Sequence, residues 1–348
     1  TAALLTSILG LVASDEDFNL QEIVRHKIIY NTLDSENNPI EASGVLFLPT
    51  ENTELRGIVS LQHSTLQSDA MAPSNSSIGI NEYTVGAFFA AIGYLTVLSD
   101  HIGYGTTRES RHAYEVKSAY TTVPYDLLLA SKDFLNENEI DLPESLYLVG
   151  YSNGAFASLA LHQYIESQND FQITTTFAGS GAYDKNRFAK DLLSQDQDLN
   201  FVGTYLWVLN VYNSIYPSLN RSWDTYLQEP YATRLAALDD IRAAVPDSIL
   251  DLNPQRLFQP SFVEGVLNDS DQALISILDD NSVLDWSPGA PITFYHGTED
   301  DFVFPLNTEN ALESLIQNGA DVTYIPLQGR GHGTAALPFF LSVLKELQ

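Results

Sequence analysis

Residues 145–165 read SLYLVGYSNGAFASLALHQYI, and this stretch decides the fold. Residues 145–149 are a short apolar run of buried-strand type, and the residues after Gly154 carry a helical pattern to about Ile165. Between them stands Gly150-Tyr151-Ser152-Asn153-Gly154, which fits G-x-S-x-G. A strand that turns sharply into a helix lifts the serine at the turn above the edge of a sheet. The positions two before and two after that serine approach each other closely, so glycine suits both. Ala155 and Ala157 keep the start of the helix thin against the sheet. The N–H of Asn153 then points at a substrate carbonyl and can stabilise an oxyanion, helped by the positive end of the helix.

Working outward, strand-like runs alternate with helical ones. Strands are expected at residues 22–30, 44–48, 57–61, 94–98, 145–149, 172–177, 291–295 and 322–325. Helices are expected at 82–92, 120–134, after Gly154, near 306–316 and at 335–347. Such alternation requires crossover connections, hence an α/β fold with a mostly parallel sheet and helices on both faces. The first strands have no helix between them, only the turn signal Asn37-Asn38-Pro39, and predict an antiparallel edge. Residues 183–286 break the rhythm. Strand signal is scarce there, and helical patterns dominate at 188–193, 205–212, 226–244, 261–266 and 272–278. The expected organisation is a core domain of residues 1–182 and 287–348, with 183–286 inserted as a helical cap. That insertion holds Phe201, Tyr205, Trp207, Tyr212, Tyr216, Trp223, Tyr226 and Tyr231, which either line a pocket or form its own core.

A serine hydroxyl needs a base, and the base an orienting acid. On a strand–turn–helix of this kind the chain order is Ser, then Asp or Glu, then His. The acid is expected in His296-Gly297-Thr298-Glu299-Asp300-Asp301, after the strand at 291–295; Asp300 is preferred, with Asp301 and Glu299 as competitors. The base is expected at His332 in Gly329-Arg330-Gly331-His332-Gly333, with glycine on both sides allowing a sharp turn before the last helix. His296 reads as structural, and His26, His112 and His162 as chemically idle. A second oxyanion donor is expected after the strand at 57–61, from Ser64 or Thr65. Asp100-His101-Ile102-Gly103-Tyr104-Gly105 either shapes the pocket or is a plain glycine turn.

Composition narrows the partners. Among 348 residues, 16 Lys and Arg face 45 Asp and Glu, a formal charge of −29. Phosphate backbones and anionic membrane surfaces are repelled by such a chain. Only 6 of the basic residues are lysine, which fits adaptation to salt, although a solvated acidic surface explains the charge as well. There is no cysteine, so disulfides, thiol nucleophiles and Cys-ligated metals are excluded. Asp196-Gln197-Asp198 and Asp269-Ser270-Asp271 read as ordinary acidic loops, and no metal is assigned. The apolar opening segment, residues 1–13, is too short to span a bilayer and lacks the basic residues of a signal peptide. The Thr at position 1 suggests a processed or trimmed form.

With GYSNG, HGTEDDFV and GRGHG in this order, the chain resembles the α/β-hydrolase superfamily. More narrowly it is similar to the secreted bacterial lipases and esterases with a helical cap, through LFLP (46–49), LQHST (61–65), Ala72-Pro73 and SDHIGYGTT (99–107). Those relatives insert their cap after the sixth strand, where residues 183–286 fall. They often have His-Gly where this chain has His63-Ser64, and Asp-Tyr where it has Asp100-His101. The resemblance implies a secreted or periplasmic serine esterase or lipase without cofactor, acting on small-molecule or lipid esters. An insertion of this size suggests an enclosed pocket for short- to medium-chain acyl groups. The rival readings are an aminopeptidase on the same fold, which needs carboxylates in the cap for a cationic N-terminus, and a non-catalytic binding protein.

Overall fold

The structure, a computed structural model, describes residues 20–50, 54–77, 82–168, 170–238 and 241–348. The apolar opening segment at 1–13 lies outside the described residues. The strands are β1 (Ile23–Leu33), β2 (Pro39–Pro49), β3 (Ile58–Gln62), β4 (Leu95–Ser99), β5 (Leu146–Tyr151), β6 (Ile173–Gly179), β7 (Ile292–Gly297) and β8 (Val322–Leu327). They form one sheet in the order β1-β2-β4-β3-β5-β6-β7-β8. β2 runs antiparallel to both β1 and β4, and every later pairing is parallel. This is the expected α/β-hydrolase arrangement with an antiparallel edge. The hairpin before it closes on Asp34, whose Oδ1 accepts the amides of Glu36 and Asn38 at 2.9 Å each, while Asn37 takes φ 65°.

Five helices clothe the sheet: α1 (Glu82–Ala91), α2 (Thr122–Glu137) and α3 (Asn153–Gln168), then, after the insertion, α11 (Leu306–Gln317) and α12 (His332–Glu346). On one face Ala87 and Phe89 of α1 and Phe339 and Val343 of α12 share a core with Phe47, Val59 and Val149. On the other, Leu127 and Leu128 of α2 and Leu161 and Ile165 of α3 pack against Leu46, Val97 and Leu148. Parallel strands covered on both faces are largely apolar, and every residue of β3 and β4 is buried, Ser60, Gln62, Thr96 and Ser99 included.

Between β6 and β7 the described residues hold α4 (Lys185–Ser194), α5 (Val202–Ile215), α6 (Trp223–Tyr226), α7 (Tyr231–Ala236), α8 (Pro254–Leu257), α9 (Pro260–Leu267) and α10 (Gln272–Asp280). The expected long helix at 226–244 is cut down to α7. Pro230 stands inside that stretch and cannot continue a helix through its missing N–H, so the chain starts a new helix just after it. Apolar packing is continuous from this segment into the core: Trp207, Tyr212 and Tyr226 belong to the same cluster as Phe156 of α3 and Phe294 of β7.

The turn from β5 into α3 is held by contact. Ser152 sits at φ 58°, a left-handed conformation, and its amide donates to Gly179 O at 2.7 Å. A Cβ on Gly150 would lie 2.0 Å from Gly154 O, and one on Gly154 2.2 Å from Gln62 O. Gly154→Ala therefore pushes α3 off β3 and is expected to cost about 3 kcal/mol. Gly333→Ala, whose Cβ would meet nothing within 4 Å, is the control and should leave stability unchanged or slightly raised. Chemical denaturation of the two variants measures the contrast. Equal midpoints would show that the close approach at Gly154 is not a constraint.

Candidate active site

Three elements converge on one point above the carboxyl end of the sheet. The Ser152 hydroxyl, lifted by the β5–α3 turn, donates to His332 Nε2 at 2.9 Å. His332 Nδ1–H donates to Asp300 Oδ2 at 2.8 Å. The other oxygen of Asp300 accepts the amides of Phe302 and Val303 at 3.1 and 2.9 Å. Serine, imidazole and carboxylate are thus in register, each with the next one's acceptor in reach. Of the three candidate acids only Asp300 faces the imidazole. Glu299 is exposed, and Asp301 turns away to accept Asn200 Nδ2 at 2.6 Å.

His332 is the first residue of α12 rather than a loop residue ahead of it. The positive φ of its turn is taken by Gly329, at 66°, whereas Gly331 has φ −83°. Two supports of this histidine escape a reading of sequence. The Tyr151 phenol donates to the His332 carbonyl and fixes where α12 begins. The Phe302 ring stands edge-on to the imidazole at 4.9 Å. Phe302 is in turn stacked on Phe201 at 4.2 Å, and its carbonyl accepts the Tyr205 hydroxyl at 2.7 Å. The segment leading into α5 and α5 itself therefore brace the loop that carries Asp300.

His296 is structural, and close to the chemistry. Its Nδ1 accepts from Thr308 Oγ1 at 2.7 Å, so its proton is on Nε2, directed at Val303 O at 2.7 Å and at Asp300 Oδ2 at 3.3 Å. Burial by itself would raise the Asp300 pKa. Hydrogen bonds from His296 and His332 and the attraction of both rings outweigh it and hold the carboxyl at about 2. His26 packs on Phe134, His112 lies among Tyr104, Tyr120 and Trp207, and His162 joins Thr176 to Glu166.

The loop after β3 lies alongside. Ser64 donates its amide to Glu82 Oε1 at 3.1 Å and its hydroxyl to Tyr151 O at 3.1 Å, and its carbonyl meets His63 Nδ1 at 2.8 Å. The Thr65 hydroxyl meets the Tyr114 hydroxyl at 2.6 Å. Asp100, completely buried, accepts from Ser43 Oγ at 2.5 Å and the Ser74 amide at 2.7 Å, while its carbonyl lies 3.3 Å from His63 Nε2 and His101 Nε2 lies 3.2 Å from Gln62 Oε1, which ties the 99–107 segment to the end of β3. Asp196, Asp198, Asp269 and Asp271 are engaged by Asn253, Arg256, Lys190 and Arg221, and the described residues contain no cluster able to hold a metal.

Ser152 and Asn153 open into a cavity of about 950 Å³, its mouth included. Its walls are apolar and come mostly from the segment between β6 and β7, with Leu192, Val208, Leu209, Phe258, Phe262 and Leu278 among them. Of the eight aromatics singled out in the sequence, Tyr205 and Tyr212 line it. Trp207 and Tyr226 are buried elsewhere in the same core. Phe188, Phe258, Phe262 and Phe302 line it as well; in the sequence they are indistinguishable from core phenylalanines. Lys185 and Glu115 form a buried ion pair in the cavity wall. The ammonium also donates to Ala182 O at 2.7 Å and lies 3.6 Å from the Phe156 ring centroid, so its charge is met by a carboxylate, a carbonyl and an aromatic face.

The sequence matches the secretory lipase family over residues 67–339. No curated protein matches it. Among solved structures it is similar to a protein of Legionella pneumophila, at 22% identity and TM-score 0.87, covering 100% of this chain and 94% of that one. It is also similar to the rice cell wall degrading esterase LipA of Xanthomonas oryzae, at 20% identity and TM-score 0.81, covering 100% and 93%. Candida antarctica lipase A follows at 17% identity and TM-score 0.67, covering 92% and 79%. At these identities the structures speak for the fold.

The Asp300 geometry has a consequence for acid stability. Its pKa is about 2 in the folded chain and near 4 in an unfolded one, so it stabilises the fold above pH ~5 by about 2 kcal/mol. That contribution fades as pH falls through the folded value. Denaturant titrations of the wild type and Asp300→Asn at pH 7, 5, 3 and 2 should give a stability gap that is constant between 7 and 5 and shrinks below about 4. A gap that stays constant down to pH 2 would contradict this charge balance.

Proposed function

The chain belongs to the secretory lipase family and is a carboxylic ester hydrolase, and from that premise we propose that Ser152, His332 and Asp300 run the reaction through an acyl-enzyme. The observation that carries the proposal is the continuous chain from Ser152 Oγ through His332 to Asp300, at 2.9 and 2.8 Å, at the mouth of an apolar cavity. Ser152 attacks the ester carbonyl while His332 Nε2 takes its proton and passes it to the leaving alcohol. Asp300, ionised throughout the working range, fixes the tautomer with the proton on Nδ1 and stabilises the imidazolium. Water, deprotonated by the same nitrogen, then releases the acid. The Asn153 N–H stabilises the oxyanion at the start of α3. The second donor is the N–H of Thr65, because that of Ser64 is engaged by Glu82.

In this reading residues 183–286 are a cap over a core of 1–182 and 287–348, and the acyl chain lies in the cavity the cap largely encloses. Its apolar walls suit an acyl chain, and the chain is read as short to medium in length. The aminopeptidase reading is disfavoured. Among the described residues Glu115 is the one carboxylate lining the cavity, and Lys185 already neutralises it. The family match supports secretion, and no described helix is long and apolar enough to cross a membrane.

The test is hydrolysis of p-nitrophenyl esters from acetyl to palmitoyl, with aminoacyl-naphthylamides alongside. The expected rates peak at short or medium chains, and Ser152→Ala removes at least about a thousandfold. A peak at palmitoyl would move the reading to long-chain lipids, and faster turnover of the amides to a peptidase. A Ser152→Ala variant with wild-type turnover would end the mechanism.

A further inference from the structure

Tyr114 belongs to two structures at once. Its ring is a wall of the cavity that opens at Ser152, is buried to 3% exposure, and stacks on Trp207 of α5 at 4.1 Å with 12° between the planes. Its hydroxyl reaches the other way, to the Thr65 hydroxyl at 2.6 Å. The neighbours of Thr65 are held by other means: Ser64 by Glu82, Tyr151 and His63, and Leu66 through its carbonyl by the Tyr104 hydroxyl at 2.7 Å. The Thr65 side chain has Tyr114 as its hydrogen-bond partner among the described residues. Burial and the nearby Glu115 carboxylate push the Tyr114 phenol far above its usual range, so it keeps its proton at any working pH.

We propose that Tyr114 is a positioning residue that holds Thr65 by its hydroxyl, making the acyl-cavity wall and the second oxyanion donor one rigid unit. The proposal rests on the reading of the Thr65 N–H as that donor. The amide whose direction matters belongs to the residue whose side chain is tethered, and the tether is stacked on a cap helix. Acyl chains that press on the Tyr114 ring therefore steady the donor, and contact remote from the ester carbonyl is realised in the transition state rather than in ground-state binding. The rate of the chemical step, and not only affinity, then rises with acyl length until the cavity is full.

Tyr114→Phe keeps the stacked ring and removes the tether. For p-nitrophenyl butyrate kcat is expected to fall about tenfold, the effect of losing one buried hydrogen bond, with KM changed by less than about twofold. The affinity of a trifluoromethyl ketone with a short alkyl chain, which adds Ser152 to give a tetrahedral oxyanion, should fall by the same factor. Thr65→Val should reproduce the loss and Thr65→Ser restore most of it. The double variant Tyr114→Phe/Thr65→Val should be no slower than either single one, because one interaction is being removed. A wild-type kcat in Tyr114→Phe, losses that multiply in the double variant, or an effect confined to KM would overturn the proposal. Failure of the serine mechanism itself is separate and visible without Tyr114: the trifluoromethyl ketone would not inhibit the wild type, or Ser152→Ala would still turn over.

Discussion

The close approach of backbone to backbone around Ser152 is the constraint on which the rest depends. A residue at φ 58° between a strand and a helix is stable only when its surroundings leave no other path. Those surroundings are Gly150 against the Gly154 carbonyl and Gly154 against the Gln62 carbonyl, both closer than any Cβ permits. The same contact that strains the serine seats α3 on β3, and β3 ends in the loop carrying Ser64 and Thr65. Ser152, the start of α3 and the loop of Ser64 and Thr65 are therefore set by one packing contact, and the sheet around them supplies the rigidity that keeps it closed.

A second layer of order comes from polar groups buried in pairs. Asp300 is desolvated, yet it accepts from two amides and faces two imidazoles, so ionisation is its low-energy state. Lys185 and Glu115 answer the same demand in the cavity wall, where a lone charge would be costly and a satisfied pair leaves the surface effectively apolar. Among the described residues other carboxylates lie at the surface, some exposed like Glu299 and some paired, as Asp269 is with Lys190 and Asp198 with Arg256. The buried Asp300 carboxylate and a strongly anionic surface coexist because the first is screened by its own partners.

The inserted segment is joined to the core through the site itself. Phe201 and Tyr205 hold the Asp300 loop through Phe302, and Trp207 backs Tyr114, which reaches Thr65. Its apolar cluster runs on into Phe156 and Phe294 without interruption. Removing this segment would take away most of the cavity wall and the support of both the Asp300 loop and the Thr65 loop.

The sequence by itself determined the strand–turn–helix at Ser152, the alternation that makes the sheet parallel, and the chain order of serine, acid and histidine. These are local or periodic signals: glycine where backbones touch, apolar runs, turn residues after strands. It preferred Asp300 but left Asp301 and Glu299 as competitors, since three adjacent carboxylates differ only in where their side chains point. Tertiary structure chose among them by aiming Asp300 at His332 and Asp301 at Asn200. The break at Pro230 was already written in the sequence, whereas tertiary structure alone decided that His332 opens a helix and which phenylalanines face the cavity rather than one another. It alone brought Tyr114 to Thr65, 49 residues apart, and Tyr151 to the His332 carbonyl, 181 apart. Contacts at such separations depend on how whole elements stack, and stacking leaves no period or spacing in the chain to read.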